Sequence, residues 1–96
     1  MNITYIAGPM TGIDKFNRPA FTAAAKRLRK EGNVVINPAT NFGGNQRLDH
    51  ADYMRYSIHQ LLIATDIYML KGWMGSTGAR VEYAVAKSLG LVVHCE

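Results

Sequence analysis

IYMLKGWMGSTGARVEYAVAKSLGLVV, residues 67–93, is the stretch on which the fold turns. Its first four residues are apolar and bounded by polar neighbours, as in a buried strand. Residues 71–78 are polar and rich in glycine, which predicts a turn region. Ala79, Tyr83, Ala86 and Leu89, widened by Val85, then recur at helical spacing, Gly90 stands where a helix needs a left-handed end, and 91–93 is a second apolar run. A strand, a helix and a strand in that order are joined by a crossover, so the two strands are parallel.

The same unit recurs toward the N-terminus. Ile3–Ala7 is a short apolar strand stopped by Gly8 and Pro9. A helix is expected over 18–31, with Asn17 as its N-cap, Pro19 in its first turn, Phe21, Ala24, Ala25 and Leu28 on its apolar face, and Gly32 at its end. Residues 34–36 form the second strand, stopped by Asn37 and Pro38. Residues 39–48 lack periodicity and predict a loop able to cover a ligand. Asp49 or Asp52 caps a middle helix whose stripe is Met54, Ile58, Leu61 and Leu62. The expected architecture is therefore a single α/β domain, three-layer and flavodoxin-like, with a four-stranded parallel sheet in the order 2-1-3-4. Its ligand cleft lies beyond the C-terminal ends of strands 1 and 3, where residues 8–17, 37–48 and 71–82 converge.

Composition sets the outer limits. The 96 residues are 48% hydrophobic and 19% charged, the balance of a folded domain rather than a disordered chain. Eleven basic against seven acidic residues give a net charge of +4, which suits a phosphate or nucleotide partner. The excess is concentrated in Lys26, Arg27, Arg29 and Lys30 on the first helix, away from the cleft and without interleaved aromatics, so nucleic acid is not the expected partner. The lone Cys95 excludes an internal disulfide, and His50, His59 and His94 lack metal spacing; no metal and no other cofactor is expected. With no leader-like start and no apolar run of bilayer length, a cytoplasmic protein is expected, with no membrane partner. A small domain buries apolar faces well by pairing, so a homodimer or higher homo-oligomer is expected too.

The cleft segments carry the candidate chemistry. Gly8 and Gly78 let the backbone approach a ligand, and Met10 and Thr11 follow strand 1. Trp73 offers a ring for a base, and Ser76 and Thr77 precede a helix start that attracts anions. Glu82, one turn into that helix, is the candidate nucleophile, its ionised form favoured by the helix dipole. Tyr5 lies within strand 1. Arg18 and Arg47 are candidate phosphate cations. Asp66, at the other end of the sheet, is expected to be structural.

Tyr5-Ile-Ala-Gly-Pro-Met-Thr-Gly12, Asn37-Pro38, and Gly72-Trp-Met-Gly-Ser-Thr-Gly-Ala-Arg-Val-Glu82 with Ala86 and Leu89-Gly90 resemble a family of small phage and bacterial proteins of uncharacterised function. That family is similar to the nucleoside 2-deoxyribosyltransferases and the deoxynucleoside 5′-monophosphate N-glycosidases. The resemblance implies an oligomeric enzyme that cleaves or transfers at the bond between base and deoxyribose. Glu82 would attack the anomeric carbon, Tyr5 would lie near the sugar and Ser76 would contact a substrate phosphate. The sequence departs from those enzymes in two informative places. Pro9 and Thr11 stand where a serine and an arginine hold phosphate, so the cation must be Arg18, Arg47 or a neighbouring subunit's. Tyr56-Ser57-Ile58 occupies the neighbourhood of an aspartate, leaving Asp49 or Asp52 as its replacement. That missing acid keeps a second reading open, a non-catalytic nucleotide-binding or regulatory protein on the same fold.

Overall fold

A computed structural model of the chain describes residues 2–44 and 49–96. Strands β1 (Ile3–Ala7), β2 (Val34–Ile36), β3 (Asp66–Met69) and β4 (Val92–Cys95) form one sheet in the order β2-β1-β3-β4. Every neighbouring pair is parallel, with Tyr5 opposite Ile36 on one side and Ile67 on the other. Helices α1 (Arg18–Lys30), α2 (His50–Leu61) and α3 (Thr77–Ser88) make the crossovers.

Alternation along β1 assigns the layers. Ile6 packs with Phe21, Ala24, Ala25 and Leu28 of α1, whereas Tyr5 and Ala7 pack with Leu61 of α2 and Ala79 and Ala86 of α3. One helix therefore covers one face and two cover the other, as a right-handed crossover at each step requires. The small residues Ala24, Ala25, Ala79 and Ala86, all buried, let α1 and α3 lie close on the sheet. No helix among the described residues is long and apolar enough to cross a membrane.

Several local expectations give way to packing. Asn17 does not cap α1 through its side chain; its Nδ2 donates to the Pro9 carbonyl at 2.9 Å instead. Asp49 precedes α2 without a side-chain capping bond, and Leu62 falls beyond the helix, 60% exposed. In α3 the inward stripe is Ala79, Glu82 and Ala86, and Leu89 is 46% exposed. Strand β3 opens one residue earlier than expected, at Asp66, and β4 one residue later, at Val92, the two being partners in the register. Part of the loop expected over 39–48 is a run of 3-10 turns, Pro38–Gly44; its remainder, including Arg47, lies outside the described residues. At the far end of the sheet Asp66 accepts from Thr65 Oγ1 at 2.5 Å and lies 2.8 Å from His94 Nε2. Burial opposes its ionisation, but these two contacts outweigh burial and hold its carboxyl below the ordinary value.

Gly8 is fixed by contact rather than by backbone angle. A Cβ at this position would stand 2.7 Å from Leu70 Cβ and 2.9 Å from its Cδ1, and the Cβ, unlike the Cδ1, cannot swing away. Gly8→Ala should therefore lower stability in urea unfolding by about 1–3 kcal/mol, the usual cost of overpacking a fixed core.

Candidate functional site

The parallel strands all end at the same edge of the sheet, and the segments that leave them enclose a cavity of about 1050 Å³. Its floor is where β1 and β3 diverge, the position at which such sheets bind ligands. The segment after β1 supplies Gly8, Met10 and Thr11, the start of α1 supplies Arg18, and the segment after β3 supplies Ser76, Gly78 and Glu82. The structure thus brings together seven of the residues that the sequence nominates.

Glu82 reaches the floor because α3 lies on the sheet through Ala79 and Ala86, and position 82 shares their face. It is only 5% exposed, and its Oε2 accepts a hydrogen bond from the Tyr5 hydroxyl at 2.5 Å. Tyr5 is wholly buried and stands behind Glu82 rather than in the cavity wall. Burial pushes the Glu82 carboxyl up to about 7 from 4.5, and the Tyr5 hydrogen bond offsets only part of this. The helix dipole, which the sequence suggests should favour the carboxylate, is the weaker influence. A helix terminus contributes at most about 2 kcal/mol in partly buried geometries, and removal from water costs more. The Tyr5 phenol is itself pushed well above its ordinary value by burial and by the charge and hydrogen bond of Glu82.

Behind this pair lies Ser57 of α2, 0% exposed, with no hydrogen-bond partner for its Oγ. Its hydroxyl is near enough to ease the Tyr5 phenol downward, although it completes no bond with it. Ser57 occupies the place where the resemblance expects an aspartate. Asp49 and Asp52, the acids available to replace it, are exposed and do not line the cavity.

The mouth is shaped by an unusual turn. Lys15, Phe16 and Asn17 all have left-handed backbones, with φ of 54°, 53° and 60°, a conformation that costs about 1 kcal/mol or more for each residue with a side chain. The Asn17 bond to Pro9 and the Phe16 amide bond to the Ile13 carbonyl at 2.9 Å hold it, and Phe16 and Asn17 line the cavity. Ser76 caps α3, its Oγ accepting from the Ala79 amide at 3.2 Å, and the residue also lines the cavity. Trp73 is not in the wall. Its ring lies against Tyr83, with centroids 4.7 Å apart, and packs on the core beneath α3.

A family model described as a domain of unknown function, DUF4406, matches residues 2–95. The chain belongs to this family. No curated protein matches it.

In this DUF4406 domain, α2 contributes more than the sequence reading assigned to it. His50, Tyr53 and Met54 line the cavity, with Ser57 one turn further on the same face. Tyr53 donates to the Pro38 carbonyl at 2.6 Å and lies 3.2 Å from Met10 Sδ, tying α2 to the loops after β1 and β2. Burial, and secondarily the charge of Glu82, raise its phenol above the ordinary value. The signal for this face is the i, i+3, i+4, i+7 spacing of 50, 53, 54 and 57, which a search for apolar residues alone passes over.

Burial of Glu82 gives stability a defined pH dependence. At pH below 4.5 folded and unfolded chains both hold the proton, and burial of a neutral carboxyl costs little. Between 4.5 and about 7 the unfolded chain ionises while the folded chain keeps its proton, so stability falls as pH rises through that window and levels off above it. The loss should be roughly 3 kcal/mol in urea titrations, and Glu82→Gln should flatten it. Tyr5→Phe, which removes the bond that favours the carboxylate, should move the upper end of the window above 7, as read by carboxyl carbon resonances.

Proposed function

We propose that this domain cleaves the N-glycosidic bond of a deoxynucleoside or deoxynucleoside 5′-monophosphate, with Glu82 as nucleophile. The observation that carries the reading is the buried Glu82 carboxyl, held by Tyr5 at the floor of a cavity large enough for a nucleotide. The resemblance of residues 5–12 and 72–82 to the deoxyribosyltransferases and monophosphate glycosidases gives that carboxyl its substrate.

In the proposed reaction the ionised Glu82 oxygen attacks C1′. The C1′–N bond breaks with its electron pair passing to the base, leaving a glycosyl ester on Glu82. Water then attacks C1′, the ester bond returns its electrons to Glu82, and the free sugar departs; a second base in place of water gives transfer. Tyr5 holds the carboxylate in line, and its hydrogen bond favours the charged form that attacks. Ser76 and the free amides at the start of α3 suit a 5′-phosphate, with Arg18 on the cavity wall as its cation. Tyr56, Met74 and Val81, apolar and exposed, support the further proposal of a homo-oligomer, and a cytoplasmic setting fits such a substrate.

The second reading, a nucleotide-binding protein without chemistry, is favoured by one observation. Among the described residues the cavity wall holds a single carboxylate, Glu82.

Incubation with the common deoxynucleosides and their 5′-monophosphates, followed by chromatography, tests the two. The wild type should release free base, with kcat/KM rising as pH rises toward about 7 and Glu82 ionises. Glu82→Gln should lose roughly 10³-fold or more of that rate. Nucleotide binding without base release would instead establish the second reading.

A further inference from the structure

Resting on the glycosidic reading, we infer that His50 is the catalytic acid that protonates the departing base. A purine or pyrimidine leaves C1′ as a poor anion unless a proton reaches one of its nitrogens or oxygens as the bond breaks. In the related enzymes that help is expected from an acid on the middle helix, and here that place holds Ser57, buried behind Tyr5 and absent from the cavity wall. The proton must come from another group.

His50 stands in the right place. It is the first residue of α2 and lines the same cavity as Glu82. A Cβ built on Gly78 would be 3.7 Å from His50 Cε1, so the imidazole lies in contact range of α3 at that position. Gly78 and Glu82 are four residues apart on α3, hence on one face, so the imidazole meets α3 one turn before the nucleophile, on the wall of the same cavity. Met54 Sδ lies 3.4 Å from the same built Cβ, so a side chain at position 78 would crowd both residues of α2.

The other groups on the wall are poorly suited to the task. The Tyr53 hydroxyl is given to the Pro38 carbonyl and is held above its ordinary value by burial. Arg18 carries a guanidinium, a group that keeps its proton in proteins, and Lys71 an ammonium, a weaker acid than an imidazolium. Histidine is the side chain that exchanges a proton near neutrality.

The step balances without another reagent. As Glu82 bonds to C1′, the C1′–N electron pair moves to the base and the imidazolium proton follows it, so the base departs neutral. Neutral His50 then accepts a proton from the water that attacks C1′, and both side chains return to their starting states.

The test uses a leaving group that needs no proton. A 7-methylguanine deoxynucleotide already carries the positive charge, and its base departs neutral by bond cleavage alone. With His50→Gln, release from deoxyguanosine 5′-monophosphate should fall about 10²–10⁴-fold, the range of general acid catalysis, while release from the 7-methyl compound stays within about threefold of wild type. The retained rate also reports a folded variant. Equal losses on both compounds would make His50 a binding or structural residue, and losses confined to the phosphorylated form of each would make it a phosphate ligand; either overturns the inference, as does no loss at all. Wild type that releases base from neither compound overturns the glycosidic reading for purines, and the role of His50 falls with it.

Discussion

The site depends on a carboxyl group that the packing of one helix forces into the core. Helix α3 can lie flat on the sheet only through small residues, and Ala79 and Ala86 supply them. Position 82 falls between these two on the same face, so whatever stands there must enter the space above β1. A glutamate in that space loses its water, and the Tyr5 hydroxyl is the partner that β1 provides. The rise of Glu82 to about 7 is the balance between that loss and that bond. It follows from where the helix lies and not from anything in the turn before it.

The parallel sheet then decides what surrounds the carboxyl. All four strands end at one edge, and the order β2-β1-β3-β4 separates the segments after β1 and β3 at their point of divergence. Gly8 is held tight to Leu70 there, with no room for a Cβ between them. The left-handed turn at 15–17 folds back over the opening and is secured by the bond from Asn17 to Pro9. Each device spends a little stability on shape, at the place where a ligand would be received.

Most of the architecture was legible because it rests on local pattern. The alternation of apolar strands with Ala-rich helical stripes is enough to give the layers and the sheet order, and the convergence of 8–17 with 71–82 follows from them. What escaped reading depends on contacts between distant residues. Glu82 was legible as the acid of the cleft, but with its charge favoured by the helix dipole, since the Tyr5 residue that bonds it in the core is 77 residues away in sequence. Leu89 looked like a member of the stripe, yet α3 leaves the sheet before it is covered. Trp73 looked free to meet a base, but Tyr83, ten residues on, takes its ring. His50 was weighed only for metal spacing, while its relation to Gly78 comes from the packing of α2 on α3, which no spacing within either helix reveals.

The energetics also bear on the choice between chemistry and binding alone. A protein that only held a sugar hydroxyl or a base edge at this floor would be served as well by a glutamine, which fills the same space, hydrogen-bonds in both directions and avoids the ionisation penalty of roughly 3 kcal/mol near neutral pH. A carboxyl offers one thing the amide does not, an oxygen that can become an anion and form a bond to carbon. The Tyr5 hydroxyl favours that anion, while burial keeps it poorly solvated and so more reactive once formed. Ser57 adds a second cost beside it. Its buried and unpartnered hydroxyl costs about 1–3 kcal/mol relative to a satisfied one, at a place beside the Tyr5 phenol and off the cavity wall. Burial keeps the Glu82 carboxyl neutral below about 7, so the charged oxygen that the proposed attack needs forms only as pH rises through that value, with Tyr5 as its hydrogen-bond donor.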